Sequence, residues 1–170
     1  PGVLDTAAAL QDRMKAAGIR AKMDGSDNSP GWKFAEYEMK GVPLRVEIGP
    51  KDIEKEQCVI ARRDTGEKIF VALADLEETV KRLLDEVHDN MYAMALKNRE
   101  DNTFDIKSVD EAKEIIDKKS VFLRSKWCGE LECELTMKEK VGVSSRCMPL
   151  VQSGEEGTCP VCGKKCATDI

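Results

Sequence analysis

The apolar positions of the chain fall into short alternating runs and longer three-to-four-residue stripes, and the change from one period to the other marks out its elements. Between Asp5 and Ala17 the apolar Leu10, Met14 and Ala17 share one side, Asp5 is a candidate N-cap and Gly18 a stop, so a helix is expected there. Ile19 to Met23 alternates like a short strand, and Asp24 to Gly31 is dense in turn formers. Trp32 to Lys40 has helical composition and ends at Gly41. From Pro43 to Ile48, Leu44, Val46 and Ile48 alternate with Arg45 and Glu47, a strand pattern that stops at Gly49-Pro50. Gln57 to Ala61 and Lys68 to Leu73 are apolar runs flanking Arg62 to Glu67, which reads as a hairpin connection. From Asp75 to about Arg99 the residues Leu76, Val80, Leu83, Leu84, Val87, Met91, Met94 and Ala95 recur at helical spacing, so a long helix with one buried face, Met91 and Met94 included, is expected.

The polar stretch Asn98 to Asn102 divides the pattern. Residues 1–103 then read as an α/β domain with a mixed sheet flanked by helices, and residues 104–170 as a small α+β domain. In the second, helices are expected at Asp110 to Lys119 and Glu130 to Val141, and strands at Val121 to Lys126 and Ser144 to Pro149.

Composition excludes some partners. The 170 residues carry a formal net charge of -5 with 35% charged and 5% aromatic residues, so no global basic field captures nucleic acid, and any RNA contact is local. No apolar run is long enough to span a bilayer, and no signal-type segment is visible, so the seven cysteines point to a reducing cytosol and not to a disulfide framework.

Four of those cysteines have metal-ligand spacing: Cys128 and Cys133 as C-x4-C, Cys159 and Cys162 as C-x2-C. Glycines after Cys128 and Cys162 give each loop its turn freedom. A thiolate tetrad leaves no open position, so zinc held there is structural and does no chemistry. The plainer alternative is four small buried side chains, and Cys147 and Cys166 offer further thiolates. Cys58 and Cys147 are expected in the core. Asp64-Thr65-Gly66 is a turn, and His88 lies on the polar side of the long helix.

The block Gly31-Trp32-Lys33-Phe34-Ala35-Glu36-Tyr37-Glu38-Met39-Lys40-Gly41-Val42-Pro43-Leu44-Arg45-Val46-Glu47-Ile48-Gly49-Pro50-Lys51-Asp52 resembles the C-terminal half of prolyl-tRNA synthetases. The likeness continues through Cys58 to Arg63, the long helix, Ser144 to Pro149 and the four cysteines, and in that last feature it is to the archaeal and eukaryotic type of the enzyme. It implies a class IIa anticodon-binding domain followed by a zinc-supported domain. It also implies that Phe34, Glu38, Arg45, Asp52 and Lys68 contact the anticodon stem-loop of proline tRNA, which carries two guanines. Guanine presents N–H donors on one edge and O6 and N7 acceptors on another. Phe34 then serves as a stacking platform, Glu38 and Asp52 as acceptors, and Arg45 and Lys68 as donors to guanine or phosphate. By spacing alone Glu38, Arg45 and Asp52 are equally a solvated polar face.

The family's first strand and its class II catalytic motifs, which bind ATP, magnesium and proline, are missing from these residues, and the chain opens at Pro1 in what should be a connection after that strand. An intact, homodimeric enzyme would supply both. The alternative is a free-standing anticodon-fold module, for RNA binding or scaffolding, without catalysis.

Overall fold

The structure, a computed structural model, describes Gly2–Ile170; Pro1 lies outside the described residues. These residues form two compact units, divided between Ala95 and Leu96. No helix among them is long and apolar enough to cross a membrane.

The first unit opens with α1, Val3–Ala16. Asp5 is not its N-cap. Gly2 holds that position, and the Asp5 carboxylate reaches back one turn to accept the Gly2 N–H at 3.2 Å. At the other end Gly18, at φ +82°, allows the N–H of Gly18 to reach Lys15 O and that of Ile19 to reach Met14 O, both at 2.9 Å. Ile19 to Met23, expected as a strand, has no ladder partner among the described residues. It is held by the Gln11 Nε2 donation to Ala21 O, while Ile19 and Ala21 pack on the core.

Helix α2, Pro30–Met39, begins with Pro30 at its first position and Ser29 as N-cap, whose Oγ accepts the Trp32 N–H. Strands β1 (Leu44–Glu47), β2 (Gln57–Arg62) and β3 (Lys68–Ala72) follow, ordered β1-β2-β3. Both pairings are antiparallel, so among the described residues the mixed sheet expected here has no parallel pair in this unit. Gly49-Pro50 does more than end β1: it starts a short helix, α3 (Pro50–Glu54), whose first turn is closed by Asp52 accepting the Gly49 N–H at 3.0 Å.

Alternation in the sheet sends Val46, Cys58, Ile60 and Val71 inward against Leu10 and Met14 of α1. The roof is α4, Leu76–Asp101, which contributes Leu76, Val80 and Leu83, and buries Val87 as well. Met91 and Met94, expected in that stripe, are exposed. Geometry gives the reason: Leu76 to Val87 spans about 18 Å at 1.5 Å per residue, roughly the length of a six-residue strand, so the helix outruns the sheet it covers. Cys58 is fully buried, as expected.

In the second unit β4 (Thr103–Asp105) pairs in parallel with β5 (Phe122–Arg124), and α5 (Val109–Ile116) connects them. Ser108 caps α5 by accepting the Glu111 N–H at 3.1 Å. Helix α6, Leu131–Val141, stops at Gly142, φ +80°. Ile106, Ala112 and Val141 form the core with Val109, Ile115, Leu123 and Met137 around them. Two small ladders complete the unit: β6 (Lys126–Trp127) with β9 (Thr168–Asp169), and β7 (Gly157–Thr158) with β8 (Lys165–Cys166). Ser144 to Pro149 is not the strand expected. It pairs with no strand among the described residues and lines a wide cleft of about 900 Å³, and Cys147 within it is exposed, not core.

Candidate nucleic-acid interface and metal centre

The sheet's outer face is set by the same alternation that builds the core. Register places Arg45, Ala61 and Lys68 in one cross-strand row and Glu47, Val59 and Phe70 in the next. Helix α2 adds Phe34 and Glu38, one turn apart. The Arg45 guanidinium lies 3.8 Å from the centre of the Phe34 ring, donates from Nη1 to Glu38 at 2.8 Å and from Nε to Glu47 at 3.0 Å. Lys68 Nζ donates to the other Glu47 oxygen at 3.1 Å and sits 5.9 Å from the same ring. The short Ala61 side chain leaves room between the two cations, where a small cleft of about 80 Å³ opens, bounded also by Tyr37, Val42 and Gly66.

Four of the five residues expected to contact RNA are therefore in one patch. Glu47, which joins Arg45 to Lys68, was missed; β1 alternation put it on the outer face, but only the strand register shows that it meets Lys68. Asp52 stands apart in its bonding. Its carboxylate accepts from Gly49 N and, at 3.3 Å, from Gln57 Nε2, and among the described residues it makes no ion pair to the patch.

The patch carries two anions and two cations with one hydrophobic ring. Glu38 and Lys68 are 55% and 53% exposed, so their partners are easily exchanged, whereas Arg45 and Glu47, at 21% and 24%, are held. Exposed ion pairs are worth about 0 to 1 kcal/mol each, so a planar ligand with donors on one edge and acceptors on another can replace them at little cost. A ring under a guanidinium is likewise a ready stacking surface.

The hairpin carrying Lys68 is anchored from behind. Arg62, on the core face, donates to Asp64 through Nε at 3.1 Å and Nη2 at 2.8 Å, and to Glu86 of α4 at 2.9 Å; Asn90 of α4 donates to Asp64 at 2.8 Å. The Asp64 side chain is 1% exposed. Hydrogen bonds from Arg62 first, and from Asn90, hold its carboxyl down at about 2 against burial, which opposes them. Asp64-Thr65-Gly66 is the turn the sequence suggested, with Gly66 at φ +73°. His88 is exposed on α4.

In the second unit the two cysteine pairs converge. The Sγ atoms of Cys128, Cys133, Cys159 and Cys162 all lie within 4.8 Å of one another. Cys128 is 3.6 Å from Cys133 and from Cys162, far beyond the ~2.05 Å of a disulfide. A tetrahedral zinc with bonds of about 2.3 Å requires sulfurs about 3.8 Å apart, so the cage fits that ion. Sequence dictates how it forms. Cys128 directly follows β6, Gly129 at φ +86° turns the chain, and Cys133 lies in the first turn of α6; Cys159 and Cys162 sit in the β7–β8 loop, closed by Gly163 at φ +70°. Glu130 clamps the halves together, its carbonyl accepting from Trp127 Nε1 and its carboxylate pairing with Lys164.

The thiols cannot ionise independently. Burial raises Cys133, and its three neighbours raise it further. Burial also acts against the Cys159 thiolate, but the backbone N–H groups of Cys162 and Val161, with the Cys162 and Cys128 thiols, outweigh it and bring Cys159 down to about 7. One thiolate thus forms readily, and a full tetrad needs a cation to balance it.

Residues 2–83 match the family described as the anticodon binding domain, and residues 109–169 match the family described as the C-terminal domain of prolyl-tRNA synthetase. The chain is 52% identical to a proline--tRNA ligase of Clostridium novyi, 51% to one of Oceanobacillus iheyensis and 49% to proline--tRNA ligase 2 of Bacillus cereus, in each case over 164 residues. Each match covers 96% of this chain and 34% of the relative, so the chain spans about a third of the length of these proteins.

Proposed function

The chain belongs to the prolyl-tRNA synthetase family, through an anticodon-binding domain and a C-terminal domain, and from that premise we propose that it is the tRNA-binding and structural part of a proline--tRNA ligase. The intact enzyme joins proline to its tRNA using ATP and magnesium, in a class II catalytic domain that these 170 residues do not contain, and works in the cytoplasm as a homodimer. The functional division lies at 103/104.

The observation that carries the proposal is the Phe34–Glu38–Arg45–Glu47–Lys68 patch, which offers a ring, two acceptors and two donors on one surface. A guanine stacking near Phe34 presents N1–H and N2–H to Glu38 or Glu47, and O6 and N7 to Arg45. Lys68, more exposed, reaches the second guanine or a phosphate. Asp52 accepts from a base by exchanging its longest contact, Gln57, while its other oxygen keeps α3 in place. The cysteine cage holds one structural zinc, tying β6 and α6 to the β7–β8 loop.

The test is a fluorescence titration of the chain with proline tRNA and with a copy whose two anticodon guanines are changed, at two salt concentrations. Preference for the unchanged tRNA by about tenfold or more, lost in Arg45→Ala and Glu38→Gln, is the expected result. Equal, salt-sensitive binding of both tRNAs would overturn the assignment.

A further inference from the structure

The row beside the patch contains a second ring that none of this uses. Phe70, in the middle of β3, is 68% exposed, although strand alternation could have placed an apolar residue inward and a polar one here. It is two residues from Lys68 on the same face, about 7 Å along the strand, and shares its cross-strand row with Glu47 and Val59. We propose that Phe70 is a second base-stacking platform, which takes the nucleotide next to the two guanines in the anticodon loop.

The inference rests on the reading of the patch as the guanine-binding surface and extends it along the sheet. An exposed ring on an open β-face, beside cations that can meet the backbone, is the arrangement that proteins use to hold splayed single-stranded RNA. The spacing suits it: a two-residue step along a strand moves the platform by about 7 Å, enough to seat a separate, unstacked base. The two rings differ in what covers them. Phe34 already carries the Arg45 guanidinium, so a base there competes with or sandwiches that group, whereas no cation lies over Phe70 among the described residues. Directly across the sheet from it is Val59, and one strand further in the same row is Glu47, whose carboxylate is occupied by Arg45 and Lys68. The platform therefore has no dedicated hydrogen-bonding reader, and stacking on it is tolerant of base identity. Phe70 contributes grip and register, and the patch contributes specificity.

The experiment uses the full 170-residue chain, proline tRNA anticodon stem-loops with 2-aminopurine placed singly at each loop position outside the two guanines, and the variants Phe70→Ala, Phe70→Trp and Arg45→Ala. Phe70→Ala is expected to weaken binding about tenfold and to abolish the 2-aminopurine quench at one loop position adjacent to the guanines. Its preference for unchanged guanines is expected to stay at the wild-type value, and Phe70→Trp to restore both affinity and quench. Arg45→Ala is expected to do the opposite, losing the preference and keeping the quench. If Phe70→Ala binds as tightly as wild type, or weakens binding without a change at any single position, the platform is refuted and the ring belongs to a protein contact. That outcome leaves guanine preference in the wild-type chain intact. Loss of that preference in the wild-type chain would instead overturn the parent reading, and this inference with it.

Discussion

Replacing Asp64 by Asn keeps the shape of the side chain and one oxygen acceptor but removes the charge that Arg62 and Asn90 surround. The magnitude follows from titration. Holding a carboxyl at about 2, down from 3.8, means that the folded state favours the charged form by nearly two pH units, or about 2 kcal/mol at 1.36 kcal/mol per unit. Because the folded value is depressed, that stabilisation is complete above about pH 5 and is lost as pH falls through about 2. Asp64→Asn should therefore cost the first unit about 2 kcal/mol at pH 7 and progressively less between about pH 5 and 2, where wild type itself becomes protonated. Asp64→Ala, which also strips Arg62 of its fork partner in a nearly buried site, should cost about 3 kcal/mol at neutral pH, the lower end for a broken buried pair because Glu86 remains. Urea titrations followed by the amide resonances of β2 and β3 read this unit selectively and work at every pH required. Other depressed carboxyls, such as Asp24, titrate equally in both proteins and cancel in the difference. An Asp64→Asn penalty below about 0.5 kcal/mol at pH 7, or one that is the same at pH 7 and pH 2.5, would refute the reasoning.

Leu83→Ala removes a side chain that is 1% exposed at the centre of the α4 stripe and should destabilise the first unit by about 2 to 5 kcal/mol in the same titration, while Met94→Ala, on the exposed part of that helix, should stay within about 0.5 kcal/mol. Zinc content measured by atomic spectroscopy should be one per chain and should fall as pH drops and thiols reprotonate; treatment with a chelator at neutral pH should collapse the β6–β9 and β7–β8 resonances before those of β1–β3, since thiolate sites of this size carry roughly 10 to 16 kcal/mol of apparent binding free energy. Unchanged resonances in metal-free protein would mean that the cage is not what holds that unit.

Most of the secondary structure and the whole cysteine cage were legible in the sequence because local rules govern them. Leu44-Arg45-Val46-Glu47 alternates over consecutive residues, Gly41 and Gly142 stop helices by adopting positive φ, and the C-x2-C loop needs only its own glycine to aim two sulfurs. Where sequence reasoning went astray, the deciding contact was distant. Ile19 to Met23 and Ser144 to Pro149 look like strands, but a strand exists only with a partner to take its hydrogen bonds, and among the described residues neither has one. Met91 and Met94 keep helical spacing with Val87, yet burial depends on how far the sheet beneath extends. Asp52 is typed as an acceptor by composition and bound to α3 by geometry. The sequence determined which residues could bind a base or a metal, because side-chain chemistry and local backbone preference are properties of neighbours in the chain. Only the tertiary structure decided that Glu47 bridges Arg45 to Lys68 and that Phe70 lies open in the adjoining row, because cross-strand register is fixed by the hairpin that Asp64 anchors and by the core on the opposite face.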